Sequence, residues 1–151
     1  MPVYSSHRLR KGRYSESGQV YLLTAVVLGR EPIFSDFSTG RLLVNEFKQA
    51  ERERSAQSLA WVVMPDHFHW LIELQNASLG ELMRRTKSNA ARAVNGNRQR
   101  NGPLWQTGYH DRAIRSEEDL LEVARYIVAN PVRARLVKRV GDYPLWDAVW
   151  L

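Results

Sequence analysis

The sequence predicts an α+β fold, a ferredoxin-like antiparallel sheet with helices on one face and a further helix near the C-terminus. Three observations lead there. Short runs rich in β-branched and aromatic residues stand apart from longer stretches whose apolar residues recur at helical spacing. Two of the strand-like runs are joined by a tight turn. The resulting order, β-α-β-β-α-β-α, matches a split βαβ arrangement.

"QVYLLTAVVL", Gln19 to Leu28, is apolar on both faces and reads as a central strand. After the loop "REPIFSDFSTG", Ser38 or Thr39 is positioned to cap a helix running to about Ser58, with Leu43, Phe47 and Ala50 on its buried stripe. "LAWVVM" is the second strand, Pro65-Asp66 the turn, and "HFHWLIEL" the third strand, giving a hairpin. Ser78 with Glu81 forms a capping box for a helix carrying Leu79, Leu82, Met83, Thr86, Ala90 and Val94 inward. "NGNRQRNGP" reads as a loop and "YHDRAIR" as a fourth strand. Ser116 with Asp119 opens the helix "EEDLLEVARYIVAN", which Pro131 should end or break. The tail reads as a short basic helical piece followed by an aromatic closing segment.

A chain of 151 residues favours one domain, divided into a basic arm (1–18), a core (19–130) and a basic, aromatic C-terminal segment (131–151). It has no cysteine, which excludes disulfides and thiolate metal sites. No apolar run approaches about 18 residues and the N-terminus has no apolar signal region, so a cytoplasmic protein without a membrane partner is expected. The formal net charge of +6 and pI of about 10.0 favour a polyanionic partner.

The basic residues are segregated. Arg8, Arg10, Lys11 and Arg13 form one acid-free run. Arg84, Arg85, Lys87, Arg92, Arg98 and Arg100 form a second, and Arg133, Arg135, Lys138 and Arg139 a third. Acids gather instead in "ERE" and "SEEDLLE". Such runs suit phosphate tracking, although a solvated face is their commoner use. Trp105, Tyr109 and His110 suit either base stacking or packing, with Trp105 better placed in the core.

Two of the four histidines, His67 and His69, lie at period two on the third strand. Phe68, Trp70, Ile72 and Leu74 occupy one face; His67, His69, Leu71 and Glu73 occupy the other. Two neighbouring imidazoles suit a metal but do not close a site. The competing reading is two half-buried histidines satisfied by backbone carbonyls. On the last helix, Leu120, Leu121, Ala124, Ile127 and Val128 make the apolar stripe, and Tyr126 projects away from it with Asn130 one turn on. Together, His67, His69 and Asn130 could hold a divalent cation beside Tyr126. Magnesium or manganese suits such mixed nitrogen and oxygen donors, and residue type does not exclude zinc. A cation that polarises a phosphodiester would let a phenol attack it, giving a covalent phosphotyrosine.

With these residues in view, the sequence resembles the single-tyrosine HUH transposases, in particular the branch of REP-associated tyrosine transposases (REP, repetitive extragenic palindromic). The resemblance is carried by "YLLTAVV", "VVMPDHFHWLIEL", "GPLWQTGYHDRAIRSEEDLLEVARYIVANPVRARLV" and "DYPLW". It implies an HUH motif at His67, Phe68 and His69, a nucleophile at Tyr126 and a third metal ligand at Asn130. It further implies a ferredoxin-like core and cleavage of single-stranded DNA beside a palindromic hairpin, leaving a 5′-phosphotyrosine and a free 3′-OH. The arm "HRLRKGRY" corresponds to the region that reads a tetranucleotide at the hairpin foot. Expected partners are single-stranded or hairpin DNA in the bacterial nucleoid, with no protein partner evident and either a monomer or a homodimer at work. Two alternatives stand beside this: a domesticated hairpin-binding protein without turnover, and a related HUH replication or mobilisation nuclease. The intact His67, His69, Tyr126 and Asn130 set disfavours the first. The short chain and single candidate tyrosine disfavour the second.

Overall fold

The computed structural model describes residues 18–150. The arm residues Arg8, Arg10, Lys11 and Arg13 lie outside the described residues. Strand β1, Val20–Val26, pairs with neighbours on both sides and is central, as its two apolar faces require. Helix α1 spans Phe37–Arg52. Its cap is Asp36, whose carboxylate accepts from the Ser38 N–H and the Thr39 hydroxyl, rather than Ser38 or Thr39. Nor does α1 reach Ser58. Arg54 turns left-handed at φ +58° and the Ser55 N–H reaches back 2.9 Å to the Ala50 carbonyl, a Schellman closure made without glycine. Strand β2, Ala56–Met64, therefore begins three residues before the "LAWVVM" segment.

The turn at Pro65-Asp66 joins β2 to β3, His67–Leu74. Helix α2, Leu79–Arg98, is capped by the Ser78 hydroxyl accepting from the Glu81 N–H. It runs one turn past Val94, through Asn95 and Gly96, until Gln99 turns left-handed at φ +53°. Strand β4 is His110–Ile114, and α3, Glu117–Arg133, is capped by Ser116. Three acids in its first turn complement the helix dipole. Pro131 does not stop α3 at Asn130. A proline near the C-terminal end removes one bond, that to the Ile127 carbonyl, and the helix closes after Arg133 with the Ala134 N–H on the Asn130 carbonyl at 2.9 Å. A fifth strand, β5, Trp146–Ala148, stands where only a closing segment was expected.

All pairings are antiparallel, in the order β4-β1-β3-β2-β5. The first four strands carry the ferredoxin-like order and β5 extends the sheet past β2. Helices α1 and α2 cover one face, sealing Phe68, Trp70, Ile72 and Leu74 against Leu43, Phe47, Leu82 and Met83. Trp105 belongs to this core, as its sequence context implied, and its indole donates to the Lys87 carbonyl. The buried Trp70 indole donates to Ser58 Oγ at 2.8 Å, beside an irregularity of register between Ser58 and Ala60.

Helix α3 lies on the opposite face, over Val20, Ala60, Val62, Leu71 and Ile114. Its buried stripe is Leu120, Val123, Ala124, Ile127 and Pro131. Leu121, assigned to the stripe from sequence, is 37% exposed, and Val123 takes its place. The positions 120, 123, 124, 127 and 131 hold the 3.6-residue period better than a stripe that includes 121. No helix among the described residues is long and apolar enough to cross a membrane.

Phe47 anchors the larger core, its ring 4.4 Å from Trp70, 5.2 Å from Phe68 and 5.8 Å from Trp61. Phe47→Ala should cost about 3–5 kcal/mol of unfolding free energy. Urea titration should show this as a lower midpoint with an unchanged slope.

Candidate active site

Helix α3 covers only part of its face of the sheet. Beyond its edge, the other end of that face presents Thr24 on β1 with His67 and His69 on β3. The turn that closes the β2–β3 hairpin also supplies Asp66, whose Oδ1 lies 2.7 Å from His67 Nδ1. Arg30 donates to the other carboxylate oxygen at 3.1 Å. Burial pushes the Asp66 carboxyl up, but the hydrogen bonds from His67 and Arg30 outweigh it and hold the group below its usual range.

His69 sits directly opposite Thr24 in the β1–β3 register, and its Nδ1 is 2.8 Å from Thr24 Oγ1. Burial, with the nearby His67 and Arg133 charges, pushes the His69 imidazole down to about 4, so it is neutral at pH 7. With both Nδ1 atoms partnered, each imidazole keeps Nε2 for another role, the outer-sphere arrangement typical of metal-binding histidines. The two rings are 5.0 Å apart, edge to face.

Tyr126 comes from α3, whose buried stripe leaves it 46% exposed on the side facing the histidines. Its ring centroid is 5.6 Å from that of His69. The Arg133 guanidinium lies 4.0 Å over the Tyr126 ring, and Arg133 Nη2 donates to the Tyr126 carbonyl at 3.0 Å. Asn130, one turn after Tyr126, is half-buried, and its Nδ2 is buried with no hydrogen-bond partner. A turn of the amide about its last bond would exchange Nδ2 for Oδ1, since the two atoms are told apart only by their partners. A buried, unpartnered amide group one turn from Tyr126, together with two imidazoles whose Nε2 atoms are left free, fits a divalent cation. Among the described residues no three His, Cys, Asp or Glu side chains converge.

The other predicted residues are placed differently. Arg84, Arg85, Lys87 and Arg92 ride on α2, across the sheet from the histidines. Lys87 donates to the Gln106 and Gly108 carbonyls at 3.1 and 2.6 Å, and burial pushes its ammonium down, so it serves as a clamp on the 104–108 loop. Arg85 faces Glu53 at 3.6 Å, Arg92 bonds Asn89, and Arg84 is exposed. Arg135 is exposed just past α3 at φ +60°. Sequence reading missed Thr24 and Asp66. Pairing the first and third strands would have exposed Thr24 as the cross-strand neighbour of His69.

Folded His69 titrates near 4, against 6.5 for the free side chain. Between those values the unfolded chain binds more protons, so this contribution to stability is complete above about pH 6.5 and is lost as pH falls toward 4. In chelator, the thermal midpoint should drop across that window, and His69→Gln should flatten the drop.

The family model described as transposase IS200 like matches residues 17–130 of this chain. A provisionally named REP-associated tyrosine transposase of Haemophilus influenzae is 29% identical over 143 residues, covering 84% of this chain and 78% of the relative. The REP-associated tyrosine transposase of Escherichia coli is 29% identical over 106 residues, covering 69% of this chain and 61% of that protein. Among solved structures, a REP-associated tyrosine transposase bound to a REP hairpin superposes with a TM-score of 0.76 at 25% identity, over 91% of this chain and 81% of that one. The family match takes in β1 through Asn130, and therefore both histidines and Tyr126. This chain belongs to the IS200-like transposase family, whose members are enzymes that generally use divalent metals.

Proposed function

We propose that this chain is a single-strand DNA endonuclease and strand transferase that works beside a palindromic hairpin of REP type, with Tyr126 as its nucleophile. The observation that carries this reading is the meeting of the Tyr126 and His69 rings, 5.6 Å apart, with the buried, unpartnered Asn130 Nδ2 one helical turn after Tyr126. The hairpin-bound relative, similar over most of its length, supports the choice of substrate. The chain acts as one transposase domain, with the 1–18 arm reading the hairpin foot.

His67, His69 and Asn130 would hold a divalent cation, magnesium or manganese, which supplies positive charge to a non-bridging oxygen of the scissile phosphate. Asp66 and Thr24 orient the two imidazoles. The Tyr126 oxygen attacks phosphorus while the bond from phosphorus to the 3′ oxygen breaks. The phenolic proton passes to solvent, and the departing 3′ oxygen takes one up. The products are a 5′-phosphotyrosine on Tyr126 and a free 3′-OH, and attack by a second 3′-OH reverses the step to join strands. The proposal takes Tyr126 and both histidines from one chain, a reading supported by their meeting within it. Arg8, Arg10, Lys11, Arg13, Arg84, Arg85, Arg92, Arg133 and Arg135 are the proposed phosphate contacts, with Arg133 also bracing Tyr126.

The deciding experiment incubates the protein with single-stranded DNA carrying a REP-like hairpin, with and without magnesium or manganese, and looks for a covalent adduct on a denaturing gel. Wild type should form a metal-dependent adduct on the downstream fragment. Tyr126→Phe should bind the hairpin and form none; an adduct in that variant would move the nucleophile elsewhere. Tight binding by wild type with no adduct in either metal would favour the binder without turnover. Thr24→Val should lower metal affinity or cleavage by about 10–100-fold, the usual cost of losing a ligand's supporting partner, while the far-ultraviolet spectrum is unchanged.

A further inference from the structure

Next to the Tyr126–His69 pair lies a cleft of about 420 Å³, lined by Leu22, His69, Arg112, Glu122, Val123 and Tyr126. It is formed where β1, its edge neighbour β4 and α3 meet. Leu22 stands opposite Arg112 in the β1–β4 register, two residues along β1 from the Thr24 that supports His69. Glu122 precedes Tyr126 by one helical turn, so both project to the same side of α3. The volume falls within the range of small-ligand pockets.

Arg112 and Glu122 carry opposite charges into one cleft, yet neither side chain makes a hydrogen bond or ion pair among the described residues. Two free and opposite side chains suit a ligand that offers an acceptor edge to one and a donor edge to the other. A phosphate alone does not, because Glu122 repels it. A nucleobase does, and Leu22 and Val123 supply an apolar floor for its ring.

We infer that this cleft seats the nucleotide adjoining the scissile phosphate and reads its base, with guanine as the best match. Guanine is the base that meets both side chains two-pronged: O6 and N7 accept from a guanidinium, while N1–H and the N2 amine donate to a carboxylate. The inference rests on the proposed Tyr126 chemistry, which fixes where the scissile phosphate lies. It makes Arg112 and Glu122 specificity residues, separate from the arm assigned to the hairpin foot.

The test uses the full chain and REP-like hairpin substrates carrying each of the four bases, or an abasic site, at the nucleotide on either side of the cleavage point. Single-turnover adduct formation should favour guanine at one of those positions by about 10-fold or more. 7-Deazaguanine, which lacks the N7 acceptor, should lose rate with wild type but not further with Arg112→Ala. Inosine, which lacks the N2 amine, should lose rate with wild type but not further with Glu122→Gln. Equal rates for all bases and the abasic substrate at both positions would overturn the inference, as would an unchanged base ranking in both variants. Because the analogues probe wild type directly, a poorly folded variant leaves the test intact. If no substrate gives an adduct, the Tyr126 assignment fails instead. Equilibrium binding of the same base series then judges the cleft: a guanine preference lost in Arg112→Ala upholds it, and flat binding overturns it.

Discussion

The alternation of side chains along β3 is the constraint on which everything else in this molecule depends. One face of the strand, Phe68, Trp70, Ile72 and Leu74, is sealed under two helices and packed around Phe47. The other face carries His67 and His69. A slip of one residue would drive two imidazoles into an aromatic core and expose Phe68 and Trp70. The energy that fixes this register is therefore the apolar burial of one face, and the geometry it fixes is that of the other. Because β1 pairs with β3 in a single register, Thr24 arrives opposite His69 with no further adjustment.

A second layer of organisation comes from the end of the hairpin. Asp66 closes the turn, and its carboxylate holds His67 on one side and Arg30 on the other. Helix α3 then supplies the rest of the site through its period. Placing Leu120, Val123, Ala124 and Ile127 on the sheet aims Tyr126 at His69, and brings Asn130 to the same side one turn later. Arg133 reaches back across the tyrosine ring to its carbonyl, bracing the last turn of a helix that Pro131 has deprived of a bond.

Much of this was legible in the sequence. The element order, the hairpin, the serine caps of α2 and α3 and the inward face of β3 follow from period and capping chemistry, and these are local signals. What was not legible depended on contacts distant in sequence. The end of α1 is set by a left-handed Arg54, where no glycine marks it. Strand β5 is three residues long and exists because β2 offers it an edge. The rotation of α3 that buries Val123 and leaves Leu121 at the surface is decided by the sheet beneath it. The engagement of Lys87 with loop carbonyls was hidden because a lysine in a basic run looks the same whether it meets phosphate or backbone.

The histidine pair and the tyrosine occupy opposite ends of the fold's construction. The hairpin that carries His67 and His69 is closed by a two-residue turn, so it assembles from neighbours in the chain. Tyr126 joins them only once β4 has paired with β1 and α3 has settled on the sheet. During synthesis the N-terminal parts of a chain emerge first. A growing chain thus displays its imidazoles well before it possesses the phenol they would serve. On the proposed chemistry, a chain interrupted before its last helix is harmless to the genome that encodes it, because the capacity to nick DNA is withheld until that helix has been made and docked.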